Sequence, residues 1–292
     1  MTQRRVVIFL TVLTFVFLFN AAYAEAFEAF GRSIDTDAET LDLSDLRRAD
    51  ARELHAALSR MPNIKQVLMF RAPLEKQEMD MLSASFPDVF FGWTIRVGKY
   101  RLRTDASSFS TLRQPDEKPR YKSESYAPLR FCQNLKGLDL GHNSISDLGF
   151  VGGLKQLHYL ILADNRITDI SELSKLKNLE YLELFMNDIT DVTPLLELSN
   201  LIDLNLSRTR IADLSPLCAM KQLRRLWISR VGSGISEEEM QMLRESLPDT
   251  EIVFTANCTA HGWRRHPRFD KVKVSFRGKQ IFQPWTEEER SL

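Results

Sequence analysis

The chain has 292 residues, with 39 Lys and Arg against 39 Asp and Glu and only three cysteines. At 43% hydrophobic and 27% charged residues it has the composition of a globular protein with ample core, not of a disordered or disulfide-stapled one. A formal net charge of zero excludes nucleic-acid binding driven by bulk positive charge, since neutralising phosphates needs an excess of Lys and Arg.

Arg4 and Arg5 precede an uncharged apolar run from Val6 to Phe19, and Ala22-Tyr23-Ala24 then forms an A-x-A cleavage pattern. Residues 1–24 are expected to be an export signal, with an uncleaved N-terminal anchor as the alternative. The protein is accordingly expected to be exported, secreted or associated with the cell surface. No other segment is long and apolar enough to span a bilayer, which needs roughly 20 such residues. The cysteines show no C-x-x-C spacing.

Residues 25–104 read as an N-terminal flanking and capping region. Arg47 to Arg60 predicts a helix with Asp50 as N-cap and Leu54 and Leu58 inward. Ile64, Val67 and Met69 then mark a strand, and Met79, Leu82 and Phe86 one face of an amphipathic helix. The alternation in Thr94-Ile95-Arg96-Val97 and Tyr100-Arg101-Leu102 predicts short strands. Residues 105–133, polar and carrying Pro115 and Pro119, read as a connecting loop and degenerate repeat.

From 134 to 230 the chain is periodic. Of its 40 leucines, 23 fall between residues 131 and 230. Leu135, Leu157, Leu179, Leu201 and Leu223 are spaced by 22 residues, and Leu138, Leu160, Leu182, Leu204 and Leu226 follow in step. Further columns read Asn143, Asn165, Asn187, Thr209 and Asp147, Asp169, Asp191, Asp213. The L-x-L alternation is that of a strand with one buried face, and a single unit cannot bury its leucines without neighbours stacked on it. The Asn column can form a ladder between turns, weakened at Thr209. Pro194 and Pro216 start tight return turns. The Asp column is expected to satisfy turn backbone groups rather than hold calcium. Cys132 falls in a core column and is expected to be buried and inert.

The unit N-L-x-x-L-x-L-x-x-N-x-I-x-D-[LIV] resembles the bacterial leucine-rich-repeat proteins of the short, internalin-like class. The resemblance implies an α/β leucine-rich-repeat solenoid, with parallel strands on a concave face, turns and short helices on the convex face, and helical capping units.

Residues 231–292 read as a C-terminal helical cap and strand-containing tail. Met240, Leu243 and Leu247 repeat the spacing of Met79, Leu82 and Phe86, and Val272-Lys273-Val274-Ser275-Phe276 alternates like a strand. The stretch from His261 to Phe269 is basic and aromatic, and is expected to dock on the final repeat with cation–π contacts. Pairing of Cys218 with Cys258 is left open.

The solenoid register places the variable strand positions on the concave face. Tyr159, Ile161, Asp164, Tyr181, Glu183, Phe185, Met186, Arg208, Arg225, Trp227 and Arg230 form an aromatic patch flanked by opposite charges there. Tyr, Trp and Arg dominate the energetics of protein interfaces. The favoured function is therefore non-catalytic recognition of a protein or peptide outside the cytoplasm, by a monomer without cofactor or metal. The alternative is a structural cell-envelope component contacting surface polymer or a membrane complex through its basic, aromatic tail. A concave face filled by residues 105–126 would favour that structural role. An enzyme built on His261 and His266 ranks last, for want of a metal-binding or nucleophile motif. On the recognition reading, Tyr181→Ala with Phe185→Ala removes ligand capture and leaves folding intact.

Overall fold

A computed structural model describes residues 25–255 and 262–292. The expected export signal at 1–24, Cys258 with its possible pairing, and His261 lie outside the described residues. No described helix is long and apolar enough to cross a membrane.

The leucine columns build a parallel sheet of seven strands in chain order. These are β8 (Ser108–Ser110), β9 (Gly137–Asp139), β10 (Tyr159–Ile161), β11 (Tyr181–Glu183), β12 (Asp203–Asn205), β13 (Arg225–Trp227) and β14 (Glu251–Val253). Leu138, Leu160, Leu182, Leu204 and Leu226 pair across neighbouring strands, the register that the 22-residue spacing predicts. All five are fully buried. Each contributes roughly 2–3 kcal/mol of hydrophobic stabilisation, realised only because the next coil covers it. On the convex side the chain returns through short 3-10 turns at Ser171–Lys175, Thr193–Glu197 and Ser215–Ala219, the last two entered by Pro194 and Pro216. The architecture is a leucine-rich-repeat solenoid.

The asparagine ladder works through both ends of each amide. Asn165 Oδ1 accepts from Ile145 N of the preceding coil at 2.9 Å, while Nδ2 donates to Leu140 O and Leu162 O at 3.1 and 3.0 Å. Asn187 repeats the pattern on Ile167 N, Leu162 O and Leu184 O. Asn143 accepts from Tyr121 N. Thr209 donates only to Leu206 O of its own coil, because its shorter side chain does not reach the neighbour. The aspartates do what the column suggests. Asp147, Asp169, Asp191 and Asp213 each accept from the backbone N–H two residues on, at 2.8–2.9 Å.

The N-terminal flank begins with an antiparallel pair, β1 (Ala26–Ala29) and β2 (Arg32–Asp35). A three-stranded parallel sheet follows, of β3 (Thr40–Asp42), β4 (Gln66–Leu68) and β5 (Phe90–Gly92). Its crossovers are α1 (Ala51–Leu58), capped by Asp50, and α2 (Lys76–Ser85), closed by a Glu75–Glu78 capping box. The alternating segment forms the hairpin β6 (Thr94–Val97) and β7 (Tyr100–Arg103), turning at Gly98 with φ +57°. At the other end α3 (Glu237–Ser246) carries a Ser236–Glu239 capping box and leads into β14.

Two expectations are corrected. Within 105–133, read as a loop and degenerate repeat, Ser108–Ser110 is strand β8, pairing with β9 through Phe109 and Leu138. A single apolar residue between two small polar ones gives no detectable alternation. The segment Val272–Phe276 is not a strand but the end of helix α4 (Pro267–Ser275), started by Pro267 and capped by His266. Phe269, Val272 and Phe276 sit at helical spacing on its inner side, and Val274, the odd member of the alternation, is 55% exposed. A short helix α5 (Glu287–Ser291) ends the chain.

Replacing Asn187 with Ala removes the partners of the buried Ile167 N–H and the Leu184 carbonyl, while Leu162 O keeps its bond from Asn165, and we expect a loss of about 3 kcal/mol in denaturant unfolding. The same substitution at exposed Asn200 should change stability by less than about 0.5 kcal/mol.

Candidate functional site

The strand residues that face away from the leucine core are the residues flanking each central leucine of β9–β13, among them Tyr159, Ile161, Tyr181, Glu183, Asp203, Arg225 and Trp227. They do not face solvent. Residues 262–292 cross the concave sheet and bury Tyr159, Ile161, Ala163, Tyr181, Phe185 and Trp227 beneath Trp263, Val272, Phe276, Phe282 and Trp285. The face is filled by the chain itself, though by its C-terminal segment and not by residues 105–126.

The aromatic contacts are specific. Tyr159 lies 4.9 Å from Phe282 and 5.1 Å from Trp285 between ring centroids, and its hydroxyl donates to Gln283 O. Tyr181 meets Trp263 at 5.4 Å, and Trp227 meets Trp263 at 5.9 Å. Gly262 permits that approach, since a Cβ there would stand 2.2 Å from the Trp227 ring.

Two carboxylates on the strands organise the charges. Glu183, fully buried, is held bidentately by Arg264 at 3.0 and 2.6 Å and accepts from Trp263 Nε1 at 2.9 Å. Tyr181 OH donates to the same carboxylate. Burial and then the Glu183 charge push the Tyr181 hydroxyl well above its ordinary value, so it stays protonated. Asp203, also fully buried, is held bidentately by Arg268 at 3.1 and 2.6 Å and by Arg225 at 3.2 Å. Arg225 also donates to Trp263 O and lies 4.3 Å from the centre of that ring. Buried ions are tolerable only when paired, and both carboxylates are paired across the interface, although Arg268 Nη1 and Arg225 Nε are buried there without a hydrogen bond.

The edges are fastened too. Arg290 of α5 bonds Glu180 at 2.9 Å. The Gln280 side chain pairs with both backbone groups of Ser110 in β8, at 2.9 and 3.2 Å, and so closes an otherwise open sheet edge.

Of the residues expected on a free surface, Tyr159, Ile161, Tyr181, Glu183, Phe185, Arg225 and Trp227 are buried. Asp164 is half-buried against His142 Nδ1 and Arg120, each at 2.9 Å. Met186, Arg208 and Arg230 lie along the uncovered rim, each with φ near +55°. Trp263, Arg268 and Trp285 of the tail are buried and engaged, which withdraws them from contact with an outside polymer. His266 caps α4 by accepting from Arg268 N, and desolvation beside Arg225 and Arg268 lowers it to about 4. It is a neutral acceptor in the helix start, and no group of metal-ligating side chains occurs among the described residues.

Sequence reasoning expected the His261–Phe269 stretch to dock, and Trp263, Arg264 and Arg268 do, but it missed Glu180, Gln280, Phe282 and Trp285. The available signal was complementarity. The concave columns hold carboxylates and aromatic rings, and residues 262–290 supply arginines and aromatic rings in similar number.

Leucine-rich-repeat family profiles match residues 131–151 and, as two copies, residues 155–197. No curated protein matches the chain by sequence. Similar solved structures include an internalin, inlF, of Listeria monocytogenes at 19% identity and a TM-score of 0.43, covering 72% of this chain and 52% of that one. An internalin C2 of the same organism aligns at 23% identity and a TM-score of 0.40, covering 68% and 74%. A leucine-rich-repeat protein of Leptospira interrogans aligns at 18% and 0.39, covering 76% and 55%. The chain spans about half the length of the first.

Tyr181→Ala with Phe185→Ala is now a core truncation. We expect the pair to lower stability by about 4 kcal/mol or more in urea unfolding and to expose C-terminal amides to hydrogen exchange. For His266, the folded value lies below the ordinary 6.5, so the unfolded chain takes up the proton first as pH falls. The neutral-state contribution is complete above pH 6.5 and is lost toward pH 4. His266→Asn keeps a capping acceptor without the titration. Its Tm relative to wild type should therefore rise as pH falls through that window, in parallel thermal melts.

Proposed function

We propose that this leucine-rich-repeat chain is a non-catalytic protein- or peptide-recognition module acting outside the cytoplasm. Its recognition surface is the concave sheet, whose resident occupant is its own C-terminal segment. One observation carries the reading. The sheet holds an Arg- and Trp-rich segment, partly helical, through side chains on four successive strands, with bidentate carboxylate–guanidinium pairs at its centre. Such anchors, aromatic rings around desolvated charge pairs, are the groups that dominate the energy of protein interfaces. A partner using this face presents arginine and aromatic side chains and replaces residues 262–292. The export pattern of residues 1–24 supports the location.

The same occupancy favours a second reading, a structural component whose concave face is permanently closed. The two differ in whether the face accepts a chain in trans. Arg264→Glu with Arg268→Glu places like charges against Glu183 and Asp203 and is expected to release the segment while the leucine core persists. A synthetic peptide of wild-type residues 262–292 should then bind the variant with micromolar affinity by calorimetry, and not bind wild type. A variant that retains native repeat protection in hydrogen exchange, has a released tail and ignores the peptide removes the recognition reading.

A further inference from the structure

The covering segment does not fill the concave face evenly. The first complete repeat carries Gly137, Asp139 and Gly141 at the outward positions where the next has Tyr159, Ile161 and Ala163, and the one after Tyr181, Glu183 and Phe185. Helix α4 crosses above all of them. Phe276 reaches down over Gly137, where a Cβ would stand 3.1 Å from its ring. Beside it, Gly141 lines a cavity of about 530 Å³, open on one side, between the sheet and residues 112–114 and the covering segment around α4. That is within the range of pockets that enclose small organic ligands.

The walls have a definite chemistry. Ile161, Phe269 and Phe276 supply the apolar part. Lys273 in the last turn of α4 and Arg277 just past its C-terminus line the mouth, and neither side chain has a hydrogen bond or ion pair among the described residues. The other cationic side chains are engaged: Arg264 with Glu183, and Arg113 with the carbonyls of Glu117, Pro119 and His142. His142 lines the cavity with its ring fixed through Nδ1 by Asp164. On the floor, Asp139 has both oxygens occupied, by Ser110 Oγ at 2.9 Å and Gly141 N at 3.0 Å. Desolvation raises its carboxyl above its ordinary value. The uncompensated charge at the mouth is positive.

We propose that this cavity is a binding site for a small organic anion with an apolar body, its acidic group held by Lys273 and Arg277 and its rings or alkyl groups against Ile161, Phe269 and Phe276. Solenoid and tail each contribute a wall, so the site exists only while residues 262–292 are seated. It is separate from the exchange of that segment for a partner and stands whether or not such exchange occurs.

The probes are anilinonaphthalene sulfonate, an apolar anion, and phenylnaphthylamine, which has the same rings without the acid. The full wild-type chain should bind the sulfonate at one saturable site, read by fluorescence and calorimetry. Lys273→Glu with Arg277→Glu, both exposed, should weaken sulfonate binding about tenfold or more and leave the neutral amine within about twofold. Gly141→Phe places in the cavity the side chain that Phe185 already carries in the same column, and should weaken binding of both. Thermal melts and hydrogen exchange of the tail establish that each variant retains the seated segment. Absence of saturable sulfonate binding to wild type would overturn the proposal. So would equal effects of the charge reversal on both probes, or undiminished binding in Gly141→Phe.

Discussion

Glu183 and Asp203 stand on adjacent strands at the centre of a sheet, with no exposure to solvent, and each is met by an arginine from a segment more than 60 residues further along the chain. An ionised carboxylate cannot be left dry without a partner, so the sheet as built demands a cationic cover. Trp263 and Tyr181 complete the hydrogen bonds of Glu183, and Arg225 those of Asp203. The rings then exclude water from the pairs they flank. Desolvation alone would disfavour charge on Arg264, and the Glu183 carboxylate reverses that, holding the guanidinium above its ordinary value. The route of the C-terminal segment follows from where these charges sit.

The solenoid was legible because its physics is periodic. Successive coils repeat the same leucines and the same Asp-capped turn, and all but the Thr209 coil the same amide bridge, so aligned columns report strand, ladder and turn together. The helical flanks were legible through local chemistry, as with Asp50 at the start of α1. Two kinds of feature were not. Strand β8 has one apolar residue, Phe109, and takes its conformation from β9 rather than from its own pattern. Helix α4 alternates in sequence only because Val274 points outward while Val272 and Phe276 point in. The concave site combined both cases. Its strand positions were placed correctly, yet their burial depends on partners that share no repeat, no spacing and no motif with them.

A solenoid ordinarily presents one row of strand residues to whatever lies in front of it, and its two ends as open edges. Here the ends are closed differently. Helix α3 and β14 extend the coil geometry at one end, while at the other the N-terminal flank adds its own short sheet and Gln280 bonds Ser110. The left-handed residue ahead of each ladder position, from His142 to Arg230, turns every coil at the same rim. At His142 that rim borders the cavity beside the cover, while Met186, Arg208 and Arg230 lie outside it, and the side chains differ from coil to coil.

The contacts of the tail also order events in time. Coils touch their neighbours across about one repeat of chain, whereas Trp263 reaches Glu183 over 80 residues and Gln280 reaches Ser110 over 170. Chains fold as they emerge, from the N-terminus onward. The repeats therefore stack while their cover is still unsynthesised, and for that interval the nascent protein carries wet carboxylates and bare rings on its inner curve. Docking of the last thirty or so residues is a closing step, slower than coil stacking because its loop is longer. Until it happens, the molecule is at its most adhesive.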